Sequence, residues 1–325
     1  MNALELVLPT FDRPGPLRAT LVSLLPQLGP ACRLTILDNA SPRPAQEILD
    51  ELGGSPHVQV IRHRFNIGGN ANIARCFEVA TAEWVWIIGD DDPLVEDGIQ
   101  AALALIAAAP PNALYIGLAH RGLPQDRTVA ASMEEFLGWS ARGEGDILFI
   151  TAGIYRARRL QPRLHAAYQW AATCAPHLVL LLTTWDAEGG SALLVRQDLR
   201  AIGARETTGG QAQLVSFCLA LLPNLPPAWA RSPALARLVA RRFLAPDALL
   251  YEAFLDYRRG RQGLAGAWRY FHITARLKYP WHIRLLVWLT FGLRLLRMLL
   301  LRLVRSIGFL RRPPSADERL IQDRP

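Results

Sequence analysis

Gly89-Asp90-Asp91-Asp92 sets three carboxylates side by side directly after the apolar run Trp84–Ile88. Adjacent carboxylates repel one another, and that repulsion costs stability unless a cation sits among them. Oxygen-only ligands with open positions favour Mg2+ or Mn2+, which can also hold a diphosphate. Such an ion is a Lewis acid that stabilises the charge developing on a departing phosphate group. Taken alone, the triplet equally describes a solvated acidic turn capping the next helix. What favours the metal is the triplet's company.

Three other apolar runs also end in polar clusters. Leu4–Leu8 leads into Pro9-Thr10-Phe11-Asp12, Leu34–Leu37 into Asp38-Asn39-Ala40-Ser41, and Val58–Ile61 toward Asn66-Ile67-Gly68-Gly69-Asn70-Ala71-Asn72. Glycines at a helix start let the backbone approach phosphate, where free N–H groups and the helix dipole favour anions; a tight turn explains Gly68 and Gly69 equally well. Asp38 can accept hydrogen bonds from a base or ribose, although the same tetrapeptide is an ordinary turn and helix-capping sequence. Arg75 can reach a phosphate or face solvent. Absences narrow the field. No GxGxxG follows the first run, no GxxxxGK[ST] phosphate loop exists and no GxSxG elbow is present, so nucleotide binding here needs another design.

These clusters need a scaffold that gathers them. The four runs are spaced for strand–helix–strand units. Asp12-Arg13-Pro14 precedes Leu17, Leu21, Leu24 and Leu28, and Ser41-Pro42 precedes Ala45, Ile48, Leu49 and Leu52. In each, a capping residue and an early proline introduce apolar residues at helical spacing. Further helices fit Asn70–Ala80, with Ile73, Phe77 and Ala80 inward, and Gly98–Ala108. The expected fold is an α/β, Rossmann-like, mostly parallel sheet flanked by helices, in which ligands bind beyond the carboxyl ends of the strands. Leu114–Ile116, Ile147–Ile150 and Ala192–Val195 read as further strands, with His120–Asp146 as a loop-rich segment. The proline-rich stretch Pro223–Pro233 reads as a boundary. The expected domains are 1–225 for the sheet, 226–280 for a helical extension (Pro233–Leu244, Asp247–Tyr257, Leu264–Leu277), 281–312 for an amphipathic basic helix and 313–325 for a disordered tail.

The 325 residues carry a net charge of +8, unevenly spread. Between Trp229 and Arg312 stand seventeen Lys/Arg against Asp247, Glu252 and Asp256, a net of +14, which leaves −6 elsewhere. A basic tail on a mildly acidic body points to an anionic partner. Trp281–Leu310 is very apolar, yet Arg284, Arg294, Arg297, Arg302 and Arg305 leave no uncharged run longer than the nine residues Leu285–Leu293. A spanning helix needs about 20 mostly apolar residues. The arginines fall on one half of a helical wheel, which fits a helix lying in the headgroup region with Trp281 and Trp288 at that depth. A core helix with its arginines in water is the plainer reading. The arginines alternate with leucine rather than lining a polar groove, so nucleic acid is not an expected partner. Cys32, Cys76, Cys174 and Cys218 are scattered, without a CxxC pair, and fit a reducing compartment. The opening residues lack the basic-then-apolar pattern of a secretory signal, and a cytoplasmic origin is expected.

Taken in order, Pro9-Thr10-Phe11-Asp12-Arg13, Asp38-Asn39-Ala40-Ser41, Asn66-x-Gly68-Gly69 and Gly89-Asp90-Asp91-Asp92 resemble the motifs of family-2 glycosyltransferases with the GT-A fold, of the kind that builds bacterial cell-surface polysaccharide and O-antigen. The resemblance implies an inverting, metal-dependent hexosyl- or deoxyhexosyltransferase using Mn2+ or Mg2+. It places the donor nucleotide against Pro9, Thr10, Phe11, Asp38, Asn66, Gly68, Gly69, Asp90 and Asp91, with Thr10 and Asp38 lining the nucleoside pocket. Asp91 and Asp92 stand for the metal-binding aspartates. Thr151-Ala152-Gly153-Ile154-Tyr155-Arg156 is similar to the family's acceptor-side strand and its Tyr-Arg pair. The family's Glu-Asp pair, about a dozen residues before a glycine, is missing: counting back from Gly189 lands on Pro176-His177. A histidine can act as general base near neutral pH, so His177 is the candidate, with Asp186 or Glu188 as substitutes and a core or surface role as its plain alternative.

The expected partners are a nucleotide-sugar donor, a glycan or glycolipid acceptor, and an anionic membrane surface met through 281–312 at the cytoplasmic face of a bacterial inner membrane. The missing pair keeps open a non-catalytic, nucleotide-sugar-binding or membrane-scaffold derivative. A sugar nucleotidyltransferase would need a Gly-rich, basic loop after the first strand, which Pro9–Pro16 does not supply.

Overall fold

The computed structural model describes residues 3–141, 147, 149–171, 175–201, 296 and 300. The chain forms two units, Met1–Phe243 and Leu244–Pro325. In the second, the described residues are Leu296 and Leu300, both exposed. The expected boundaries near 225, 280 and 312, the extension helices, the interfacial helix, Cys174 and Cys218 all lie outside the described residues.

In the first unit, β1 (Leu4–Thr10), β2 (Cys32–Asp38), β3 (Val58–Arg62) and β4 (Trp84–Ile87) alternate with α1 (Pro14–Leu24), α2 (Ala45–Glu51) and α3 (Gly69–Val79), and α4 (Gly98–Ala108) follows. Strand order in the eight-stranded sheet is β3-β2-β1-β4-β7-β5-β8-β6. β5 (Ala113–Gly117) and β8 (Ser191–Val195) run parallel to the first four. β6 (Arg127–Ala130) and β7 (Gly153–Tyr155) run against them. Crossover helices force the parallel sense, because a strand returning beside its predecessor through a helix must re-enter in the same direction. Leu4, Leu6 and Leu8 alternate along β1 and meet Leu17, Leu21 and Leu24 of α1 and Ala45 and Ile48 of α2 in one buried cluster. Further along the sheet a row of rings fills the core: Phe77 meets Tyr155 edge-on at 5.2 Å, Tyr155 meets Tyr115 at 5.1 Å, and Tyr115 meets Phe136 at 5.4 Å.

The expected strand at Ile147–Ile150 is not formed. Ile147 sits in a turn, Ile150–Ala152 make one 3-10 turn, and the strand is Gly153–Tyr155, squeezed antiparallel between β4 and β5. The shift follows from packing. A Cβ on Gly153 would lie 2.2 Å from the Tyr115 ring, so only glycine lets the strand pass there. Both carbonyls just before it accept from side chains: the Trp86 indole donates to Thr151 O and the Tyr115 hydroxyl to Ala152 O, which also accepts from the Leu118 N–H just beyond β5. The loop-rich segment His120–Asp146 carries β6 and α5 (Met133–Ala141). β6 is a polar strand on the sheet edge with no apolar run to announce it. α5 did carry a signal, the Ser132-x-x-Glu135 capping box. The Glu135 N–H donates to Ser132 Oγ at 3.2 Å, and Glu135 Oε2 accepts from the Ala131 N–H at 2.8 Å.

Candidate active site

The register of β1, β2 and β3 puts Thr10, Asp38 and Arg62 in one row at the carboxyl edge of the sheet. β4 ends beside them, and its continuation turns at once, with the Asp92 N–H donating to Gly89 O at 3.1 Å. The turn points the three aspartates in different directions. Asp90 folds inward under the end of β1: Thr10 Oγ1 donates to its Oδ2 at 2.8 Å and Arg13 Nη1 to its Oδ1 at 2.6 Å. Its carbonyl accepts from Thr20 Oγ1 of α1 at 2.9 Å. Asp92 folds to the other side, accepting from Thr151 Oγ1 at 2.8 Å. Asp91, with a third of its side chain exposed, faces outward while Arg13 Nη2 donates to its Oδ2 at 2.9 Å.

The cation expected among these carboxylates is therefore partly supplied by the chain itself, as the forked Arg13 guanidinium. Even so, the site is strained electrostatically. Burial pushes Asp90 up to about 6, against the pull of Arg13 and Thr10 and with the help of Asp91 and Asp92. Among the described residues no three His, Cys, Asp or Glu side chains converge on one metal position. The donor set fits Mg2+ or Mn2+ in one way: Asp91 and Asp92 as carboxylate ligands, the remaining positions left to phosphate and water. Mg2+ sites commonly have that composition.

Asp38 makes the contacts of the turn-and-cap reading of its tetrapeptide. It is fully buried, and its carboxylate accepts from the Ser41 N–H at 2.8 Å, the Ala45 N–H at 3.1 Å and the Arg62 guanidinium. Burial raises a carboxyl pKa, but these donors outweigh it and hold Asp38 below the usual carboxylate range. Asp38 thus caps α2 and fixes the turn. The cap expected from Ser41 falls elsewhere, since Ser41 Oγ accepts from the Asp12 N–H at 3.1 Å. The Asp12 side chain makes no cap on α1, whose N-cap is Arg13.

Asn39 is the polar group at the end of β2 that reaches a neighbouring loop. Its Nδ2 donates to Asn66 Oδ1 at 2.8 Å and its Oδ1 accepts from the Ile67 N–H at 2.9 Å. Asn66 Oδ1 also accepts from the Gly68 N–H at 2.8 Å. Gly68 sits at φ +86°, a conformation that favours glycine, and α3 starts at Gly69 directly behind it. Pro9 is half-buried inside β1, whereas Phe11 and Ile67 are exposed, flanking this edge with apolar surface.

α8 (Pro176–Glu188) runs into β8 through Gly189, which ends the helix at φ +67°. Because β8 parallels β5, the first turn of α8 lies toward the edge where the aspartates stand and its last turn toward the opposite edge. His177 is in that first turn, 1% exposed, with Nε2 3.2 Å from Ile147 O. A carbonyl only accepts, so Nε2 carries the hydrogen of this contact. Asp186 is exposed near the far end, and Glu188 is clasped there by Arg159 and Arg163. The fold does not bring Asp186 or Glu188 to the aspartates. Reading along the chain missed Thr20, and it noted Arg13 and Thr151 only as members of longer motifs with no role at the aspartates, because each meets them from a distant segment of the chain.

The fold has known counterparts. Residues 5–167 match the family model for glycosyl transferase family 2. The chain belongs to that family, and the sheet with its flanking helices is the GT-A architecture of a glycosyltransferase. Among solved structures, S. aureus TarS 1–349 in complex with UDP-GlcNAc is 14% identical over 85% of this chain and 83% of that one, with a TM-score of 0.52. The mannosyltransferase PcManGT from Pyrobaculum calidifontis in complex with GDP-Man and Mn2+ is 16% identical, covering 89% and 83%, with a TM-score of 0.49. Glucosyl-3-phosphoglycerate synthase from Mycobacterium tuberculosis, in complex with Mn2+, UDP and phosphoglyceric acid, is 13% identical, covering 68% and 78%, at 0.47. No curated protein matches the sequence.

Proposed function

We propose that this protein is an inverting transferase that moves a sugar from a nucleoside-diphosphate donor to a hydroxyl of a lipid-linked glycan. The observation that carries the reading is the joint of Thr10, Arg13, Asp90, Asp91, Asp92 and Thr151 at the carboxyl edge of a family-2 sheet. Asn39, Asn66 and Gly68 shape the loop over which the donor's nucleoside lies, with Phe11 beside it. The N-terminus of α3 faces the donor phosphates. Asp91 and Asp92 would hold a divalent cation. When bound, that Mn2+ or Mg2+ supplies Lewis-acid stabilisation of the leaving nucleoside diphosphate. His177 is the candidate to take the proton from the acceptor hydroxyl, whose oxygen then attacks the anomeric carbon in line.

The basic, apolar segment 281–312 would bring the site to an anionic membrane surface, the inner membrane's cytoplasmic face, where a lipid-linked acceptor of the cell-surface polysaccharide class is within reach. One observation favours a second reading: His177 is almost wholly buried and Asp186 lies toward the other edge, which fits donor binding without turnover.

Thermal stabilisation tests the first step, because a ligand that binds only the folded state raises Tm by mass action. UDP, GDP, dTDP and their sugars are titrated with Mn2+, Mg2+ or chelator. The expected outcome is a metal-dependent rise with one nucleotide that vanishes in Asp91→Ala or Asp92→Ala. A flat response to every nucleotide would remove the donor site. Sugar transfer lost in His177→Ala with donor binding intact separates the enzyme from the binding-only reading.

A further inference from the structure

We infer that Thr151 is a positioning residue for the metal-binding arm of the site, an assignment that rests on the donor reading given above. Thr151 is fully buried and lies 59 residues beyond Asp92, in the 3-10 turn that leads into β7. Its hydroxyl performs two jobs at once: it donates to Asp92 Oδ2 at 2.8 Å and accepts from the Gly89 N–H at 2.9 Å. The backbone of Thr151 is itself held, its carbonyl accepting from the Trp86 indole at 2.8 Å. Gly89 packs against the same carboxylate. A Cβ there would stand 2.3 Å from Asp92 Oδ2, so the carboxylate is folded back against bare backbone.

A carboxylate oxygen that is hydrogen-bonded to a buried hydroxyl and packed against a glycine is held in one orientation, and its remaining lone pairs are presented in a fixed direction. Groups that orient metal ligands from behind are worth 10- to 100-fold in metal affinity. The arrangement also has a topological consequence. Thr151 is reached four residues after Ile147, whose carbonyl meets His177 Nε2. One short segment therefore carries both the group that orients Asp92 and the group that accepts from the imidazole.

The test compares Thr151→Val, which keeps the shape and removes the hydroxyl, with Thr151→Ser, which keeps the hydroxyl. Mn2+ is titrated into each protein with UDP, GDP or dTDP in excess, and the midpoint of the metal-dependent rise in Tm is read. The expected result is a midpoint raised about tenfold or more in T151V and within about threefold of wild type in T151S. Gly89 amide hydrogen exchange, followed without any ligand, should quicken in T151V and stay slow in T151S. Equal midpoints in T151V and wild type overturn the assignment, as does equal impairment of T151V and T151S, which would mark a packing role. If T151V does not fold, Thr151→Ala takes its place under the same criteria. A wild-type protein that shows no metal-dependent rise with any nucleotide defeats the donor reading itself and this assignment with it, a pattern distinct from a normal wild type with unaffected variants.

Discussion

Arg13 sets a permanent charge between Asp90 and Asp91, and its planar fork matches two carboxylate oxygens where an ammonium would match one. Arg13→Lys is accordingly expected to weaken nucleotide-dependent stabilisation, and Arg13→Ala to abolish it; an Arg13→Ala protein with wild-type donor affinity would show that the fork is dispensable. Asp90 makes a pH prediction. Its carboxyl is pushed up to about 6 in the folded chain by burial, above its ordinary value of 3.8. The folded state therefore holds that proton more tightly, and the resulting stabilisation is full below pH ~4 and lost as pH rises through about 6. With chelator present, the Tm of Asp90→Asn minus that of wild type should climb between pH 4 and 6 and level off above. A difference that stays flat across that interval would show that Asp90 is not held protonated by the fold.

The turn between β2 and α2 depends on one side chain. Asp38→Ala strips two backbone N–H groups and Arg62 of their acceptor, and an unsatisfied buried donor costs roughly 1–3 kcal/mol. We expect a loss of about 3 kcal/mol in urea unfolding at constant slope, together with weaker nucleotide binding because Asn39 shifts with the turn. Loss of nucleotide binding at unchanged stability would instead assign Asp38 to the nucleoside. β7 is three residues of strand admitted by one glycine. Gly153→Ala must displace the Tyr115 ring, and overpacking of this kind costs ~1–3 kcal/mol. Calorimetry showing an unchanged Tm would mean that Tyr115 has room to turn.

Taken as one chain, the protein joins a sheet unit of negative net charge to a basic tail of net +14 over Trp229–Arg312. Among the described residues no helix is long and apolar enough to cross a membrane. Attachment through the tail predicts that removing residues after Pro280 releases the protein from vesicles containing anionic lipid, and that raised salt weakens binding of the full chain, since surface charges are screened. A truncated protein that still sediments with the vesicles would sink the anchor.

The parallel half of the sheet was legible in the sequence because each strand is an apolar run with a helical pattern behind it, and strand ends in such sheets collect ligands by geometry alone. The aspartate triplet and the glycines at the start of α3 were readable for the same reason: motif and strand end are contiguous in the chain. What surrounds those carboxylates was not. Thr10 and Arg13 meet Asp90 across 80 and 77 residues, and Thr151 meets Asp92 across 59. Such partners are chosen by strand order, not by spacing. Asp38 read from the sequence as a ligand group or a turn cap; the folded chain sets the Ala45 N–H and, through strand register, Arg62 against its carboxylate. The sequence determined which groups stand at the sheet edge. Tertiary packing alone decided which carboxylates turn inward, which one faces solvent and which end of α8 the edge receives, since hydrogen bonds between distant segments exist only after the strands have paired.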